Sequence, residues 1–333
     1  MESTSLPQTY NALVASKPGE KPNIESLSLP KPGTNQLLVK VAYAPLNPAD
    51  IVAMKGFTFS KLNSHLIGAE GSGTVVALGE NLKIPFTIGQ KVHVKGPGTM
   101  GQYVLADSSS VWPVQGDLSL DEAAAHFSPG VVVYMGILAA QGGHKAAIHT
   151  VGSSNIGRML IRYFKEKGIK TINIVRRDDC IQELKDEGAD YVLNSTAADF
   201  EAKLKEIAEK EQATIAFDAI GGDFSGKVIA AQPPGSICYV YGALGGSTNI
   251  SVNMMELAKG KNVSSFSLPL YVEKMAKDGK LGEFLSEVHS KLGTTLRTNV
   301  SKVFKLEEIE EALAYYKENS SKGKVLIQPN ESL

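Results

Sequence analysis

Cysteine is nearly absent from the 333 residues, and the two present, Cys180 and Cys238, stand far apart in no paired or metal-ligand spacing. A disulfide framework and a cysteine-built zinc lobe are thereby excluded, and a reducing compartment fits. Net charge is nearly absent too: 34 Lys and Arg against 35 Asp and Glu leave a formal charge of -1, without the basic excess that nucleic-acid binding needs. Although 43% of the residues are hydrophobic, no apolar run approaches the length of a membrane span. The opening stretch MESTSLPQTYNALVASKPGE holds no apolar core segment and no arginine, so no leader is expected and the protein is read as cytoplasmic.

What is present is a chain long enough for two hydrophobic cores. The first third reads as strand and turn: NQLLVKVAYAPLNPADI breaks at Pro45 and Pro48, and GSGTVVALG and GQKVHVKG are short alternating strands bounded by glycine. From about Leu118 the pattern changes. LSLDEAAAHF reads as a capped helix start, and buried-strand candidates AAIHTV, TINIV, YVLN, IAFDAI and SICYVYG then alternate with amphipathic stretches at 158–167, 181–187 and 200–210. This βαβ rhythm predicts an α/β fold with a doubly wound parallel sheet beside a β-rich domain. Near the end, KLEEIEEALAYYKEN reads as a helix and GKVLIQ as a strand returning to the first sheet.

The stretch AAIHTVGSSNIGRMLIRYF carries the chemistry. A strand that ends in a tight glycine turn and opens into a helix presents backbone amides and a helix amino terminus to a pyrophosphate. Here Gly152 and Gly157 flank Ser153, Ser154, Asn155 and Ile156, with the helix expected near Arg158. An ordinary strand-to-helix turn would look alike. Asn155 stands where a further glycine is expected, and asparagine tolerates positive φ better than other residues with a Cβ. About twenty residues on, Arg176 and Arg177 occupy the strand end where an acid would meet a free ribose 2'-hydroxyl. Arginine there favours a 2'-phosphate, hence NADPH, unless the pair merely faces water beside Asp178 and Asp179. Tyr241 and Gly242 end a later strand at the carboxyl edge of the sheet, where cofactor contact is expected.

With APLNPADIVAMKG, IGAEGSGTVVALG, IGQKVHV, LSLDEAAA, the nucleotide turn, FDAIGG, YGALGG and KGKVLIQ in this order, the chain resembles the medium-chain dehydrogenase/reductase superfamily over nearly its whole length. Within it, the chain is similar to the zinc-free quinone oxidoreductases and 2-enoyl thioester reductases. The resemblance implies a GroES-like β-rich domain over 1–125, completed by 265–333, and a Rossmann-type domain over 126–264. It also implies a homodimer formed near VSSFSLPLY (263–271), within a larger assembly or alone.

At the positions where zinc-dependent relatives place their metal ligands, this chain has Asn47, Ala69 and the cysteine-free FSPGVVVYMG, so no metal is expected. His65 and His93 read as surface or internally satisfied histidines. Zinc-free members polarise the carbonyl of an activated alkene by hydrogen bonds, pass hydride to its β carbon and protonate the neighbouring carbon. The resemblance places the proton donor, a tyrosine in enoyl reductases, at Thr58, a shorter and poorer donor. Asn47 reads either as a substrate-side residue or as a turn residue bonding local backbone. Glu70 reads as a supporting carboxylate, and Val132 stands where a threonine often touches the nicotinamide. Tyr103 and Tyr134 read as packing residues or alternative phenols. Two functions remain open: an NADPH-dependent reductase acting on a small-molecule enoyl thioester, enone or quinone, and a reductase-like structural or regulatory subunit with weak or no turnover.

Overall fold

Residues 6–15, 21–54 and 65–330 are described by the computed structural model. The chain first forms β1 (Thr9–Val14), β2 (Asn23–Ser28), β3 (Gln36–Pro45), the short helix α1 (Pro48–Met54), β4 (Glu70–Leu78), β5 (Lys91–Lys95), β6 (Tyr103–Asp107) and β7 (Val111–Pro113). Helices α2 (Leu120–Ala123) and α3 (Phe127–Gln141) lead into β8 (Ala146–Thr150), α4 (Asn155–Glu166), β9 (Lys170–Val175), α5 (Ile181–Asp186), β10 (Tyr191–Asn194), α6 (Phe200–Glu211), β11 (Ile215–Asp218), α7 (Gly222–Ala231) and β12 (Ile237–Val240). After these come α8 (Met254–Leu257), β13 (Asn262–Ser265), α9 (Leu268–Lys277), α10 (Leu281–His289), β14 (Val300–Lys305), α11 (Ile309–Asn319) and β15 (Lys324–Gln328).

Two compact units result, Met1–Phe127 with Thr298–Leu333, and Ser128–Arg297. The first is β-rich. Its seven-stranded sheet runs β14-β15-β3-β4-β5-β7, with β6 also on β3, and β15 joins β3 antiparallel, as the GKVLIQ pattern predicts. Alternating buried residues of β3, β4, β5 and β6 close over one core around Val39, Val75, Val92 and Val104. A second core gathers Leu46, Met54, Phe304, Ile309, Val325 and Ile327.

The second unit holds a six-stranded sheet in the order β10-β9-β8-β11-β12-β13, parallel throughout. Taken from its first strand, this is the classic dinucleotide-binding order 3-2-1-4-5-6. Central strands β8 and β11 are buried along their whole length, as a sheet covered on both faces demands, apolar at their starts and polar only at their carboxyl ends, His149, Thr150 and Asp218. Helix α4 ends in a Schellman motif: Gly168, at φ +70°, donates to Lys165 O and Ile169 to Phe164 O.

Two expectations are corrected. The chain leaves the second unit at 297/298, so residues 265–297 lie with the sheet they follow and not with the first domain. The physical reason is aromatic packing: Tyr134 of α3 stacks on Tyr271 of α9 at 3.7 Å between ring centres, and Phe284 of α10 meets Tyr271 edge-on. A sixth strand, β13, extends the expected five, because VSS pairs with β12 despite its polarity. No helix among the described residues is long and apolar enough to cross a membrane.

Candidate functional site

In the second unit, β8 ends at Thr150 and the turn that follows is built by close approach. A Cβ on Gly152 would lie 2.9 Å from Asn173 Cβ, and one on Gly157 would strike the Gly152 carbonyl. Both positions therefore require glycine, and the backbone of the turn lies bare, as a pyrophosphate cradle requires. Ser154 is the N-cap of α4, its hydroxyl accepting from Gly157 N at 3.1 Å, so Asn155 and Ile156 are the first two helical residues. The expected helix start near Arg158 moves back to Asn155 for that reason. Positive φ does not fall on Asn155 either. It falls on Val151, at +57°, a strained conformation for a β-branched residue. The Ser153 carbonyl is held by Arg158 Nε at 3.2 Å, and the buried Arg158 is itself paired with Glu187 and Glu183 at 2.8 Å each.

Arg176 follows the last residue of β9, is exposed, and makes no hydrogen bond or ion pair with any described residue. Arg177 is also exposed and leans on Asp179 at 3.3 Å. Of the two, Arg176 is the one whose guanidinium is available to a 2'-phosphate.

Tyr241 follows β12 directly; its amide donates to Asp218 O, and its hydroxyl lies 2.8 Å from His149 Nε2. Gly242 passes so near the preceding turn that a Cβ would sit 2.7 Å from Ala219 O. Asp218, in FDAIGG, is consumed internally: Thr150 Oγ1 and Ile220 N bond one oxygen, Ser225 Oγ and Gly221 N the other. It therefore fixes the β8 and β11 ends against each other. Val132 is fully buried in α3.

In the first unit, Asn47 sits at the start of α1 in a buried polar cluster. Its amide Nδ2 donates to Glu70 Oε1 at 2.9 Å, its Oδ1 accepts from Lys324 Nζ, and its backbone N–H donates to Asp50 Oδ2 at 2.8 Å. The other Glu70 oxygen accepts the His126 and Phe127 amides at 2.8 and 2.6 Å, which gives Glu70 the supporting place expected of it. Burial pushes the Asp50 carboxyl up to about 7, helped by the nearby Glu70 and opposed by the Asn47 amide and Lys324. Burial likewise lowers the Lys324 ammonium, against the pull of Glu70 and Asp50. Asn47 is thus held at both ends of its side chain by protein groups. His93 Nδ1 lies 2.7 Å from Ala123 O, and Tyr103 packs edge-on against Tyr10. Thr58, the expected proton donor, lies outside the described residues.

Lys324, Asp218, Arg158 and His149 were invisible to pattern reading. A lysine opening an apolar strand, or a histidine inside AAIHTV, is the only local signal, and it does not say what the side chain meets.

Two family models match the chain, an alcohol dehydrogenase GroES-like domain over residues 33–116 and a zinc-binding dehydrogenase domain over 187–327. The mitochondrial enoyl-[acyl-carrier-protein] reductase of Caenorhabditis elegans is 28% identical over 231 residues, covering 64% of this chain and 63% of the relative, just under two thirds of its length. The Schizosaccharomyces pombe protein named "Probable quinone oxidoreductase" is 25% identical over 92% of each chain. A solved structure assigned as an NADPH:quinone reductase of Mesorhizobium loti superposes with a TM-score of 0.86 at 27% identity, covering 98% of this chain and 100% of its own.

Proposed function

This chain belongs to the medium-chain dehydrogenase/reductase superfamily, in its zinc-free quinone oxidoreductase branch, and from that premise we propose an NADPH-dependent, zinc-independent reductase of an activated C=C bond, in an enoyl thioester or enone, or of a quinone. The observation that carries the cofactor preference is Arg176, exposed and without a partner among the described residues, at the end of the second strand of a sheet in dinucleotide-binding order. The glycine turn fits such a cofactor, because Gly152 packs directly against Asn173 and Gly157 against the Gly152 carbonyl, a close approach that only glycine permits and that leaves the turn's backbone amides beside the α4 amino terminus. When bound, the nicotinamide supplies hydride to the acceptor. The protein's part is to hold the pyrophosphate on the α4 amino terminus, to hold the 2'-phosphate on Arg176, and to offer a donor to the acceptor carbonyl. Thr58 is the proposed donor.

A reductase-like structural or regulatory subunit is the second reading, favoured by a buried valine at 132 and a threonine where enoyl reductases carry a phenol. Titration with NADPH and NADH, followed by NADPH oxidation with crotonyl thioester, enone and quinone, separates the two. The reductase reading expects tighter NADPH binding and turnover with one acceptor, accelerated by Thr58→Tyr. NADPH binding without turnover in either protein supports the second. We further propose a homodimer: β13 is an edge strand, and Met254, Met255 and Leu257 are exposed on the neighbouring α8, an apolar surface that a second copy would cover. Both cysteines are buried and free, which suits the proposed cytoplasmic location.

A further inference from the structure

The first turn of a helix disfavours a cation, because the macrodipole is positive there, yet Arg158 stands at the fourth position of α4 with only 3% of its surface exposed. A buried guanidinium needs partners. Two lie on and just beyond α5: Glu183 Oε2 accepts from Nη2 and Glu187 Oε1 from Nη1, each at 2.8 Å. With both arms of the fork taken by these acids, the remaining donor, Nε, meets the Ser153 carbonyl at 3.2 Å in the nucleotide turn. Glu187 also accepts from Arg162, whose other donors hold the Thr295 and Arg297 carbonyls. The fork is therefore fixed from behind.

What the bond to Ser153 does to the turn follows from peptide geometry. The Ser153 carbonyl and the Ser154 N–H belong to one planar peptide and point opposite ways. Ser154 N–H donates to Val151 O at 2.9 Å, so Arg158 completes a clamp on both ends of that peptide. The N–H groups of Ser153 and Ile156, before and after it, donate to no described residue. The clamped peptide between them sets their directions. The same turn carries the left-handed Val151 at φ +57°, a sparsely populated conformation that persists only where neighbours over-determine it.

We propose that Arg158, fixed by Glu183 and Glu187, is the positioning residue of the pyrophosphate turn: it holds the Ser153 carbonyl inward, so that the Ser153 and Ile156 amides are set for a phosphate before the cofactor arrives. This rests on the dinucleotide reading given above. The acids take up the charge of Arg158, and it touches the turn and not the cofactor. Its contribution is preorganisation, a turn that the ligand need not order.

Equilibrium titration of the full chain with NADPH, adenosine 2',5'-bisphosphate and adenosine 2'-monophosphate tests this, since only the first two bring a phosphate to the turn. Arg158→Lys keeps a cation for the acids but lacks the fork that also reaches the Ser153 carbonyl. It should weaken NADPH and the bisphosphate about three- to tenfold, the range of one hydrogen bond, and leave the monophosphate within about twofold. Retained monophosphate binding also shows that the variant is folded. Lys261→Met is the structural control: it removes a buried ammonium bonded to Glu256 and to the last carbonyls of α7, and should lower the thermal midpoint while leaving all three affinities within about twofold. A measurement on the parent needs no variant: the Arg158 Nε–H resonance should exchange slowly with solvent before any ligand is added. Unchanged bisphosphate affinity in Arg158→Lys, equal weakening of the monophosphate, the same selective loss in Lys261→Met, or fast exchange at Arg158 in the free parent overturns the inference alone. A parent protein that binds none of the three ligands overturns the dinucleotide reading with it.

Discussion

In the first unit, Lys324, Asn47, Glu70 and Asp50 direct their hydrogen bonds at one another and at nearby backbone; in the second, the exposed Arg176 guanidinium directs its hydrogen bonds at no described residue. Both stand on motifs that read as functional in the sequence. A buried charge is tolerated only when paired, so the first set closes on itself and stiffens the β3–α1 and β4 ends where they meet β15. An exposed guanidinium at a strand end has no such requirement, and what it leaves unsatisfied is available to a ligand. Saturation is the feature that separates a supporting polar cluster from a binding one.

The largest effect should come from opening the closed cluster. Lys324→Met leaves Asn47 Oδ1 without its donor and two buried acids without their cation, and should cost about 3–5 kcal/mol in denaturant unfolding. Arg176→Met, the same change at the open site, should leave stability within about 0.5 kcal/mol. Equal costs would erase the contrast.

Asp50 sharpens it through pH. Its folded pKa of about 7 lies above the unfolded value of 3.8, so the folded state binds the extra proton, and stability present below about pH 4 is lost as pH rises through 7. Asp50→Asn keeps an oxygen for the Asn47 amide and should flatten that decline, gaining on the order of 2–4 kcal/mol over the parent at pH 8. Parallel stability curves for the two proteins from pH 4 to 8 would contradict it.

For the open site the readout is selectivity. Arg176→Ala should weaken NADPH by about 1.5–3 kcal/mol, a charge-assisted bond, and barely affect NADH, measured by fluorescence titration. A loss shared equally by both cofactors would place the 2'-phosphate elsewhere.

The smallest effect concerns the turn itself. Val151→Gly should relieve left-handed strain, for a net gain of up to about 1 kcal/mol after the entropy of glycine is counted, whereas Asn155→Gly, at the first helical position with no positive φ to relieve, should bring no gain. Thermal unfolding of the two variants distinguishes a left-handed Val151 from a left-handed Asn155.

Much was legible in the residues alone. The βαβ rhythm, the glycines at 152 and 157 and the strand at 324–328 follow from local periodicity and from backbone approach that only glycine permits. Those are properties of neighbours in sequence. Which residue takes the left-handed conformation was decided by the Ser154 cap, which pulls Asn155 into the helix and leaves Val151 to make the bend. That Asn47 is clamped, that Asp218 is saturated and that His149 reaches Tyr241 depend on partners 277, 68 and 92 residues away in sequence. A polar side chain's role is set by whether its hydrogen bonds are already taken. Sequence carries which atoms can bond; only the packed sheet brings the distant atoms near enough to decide which of them do.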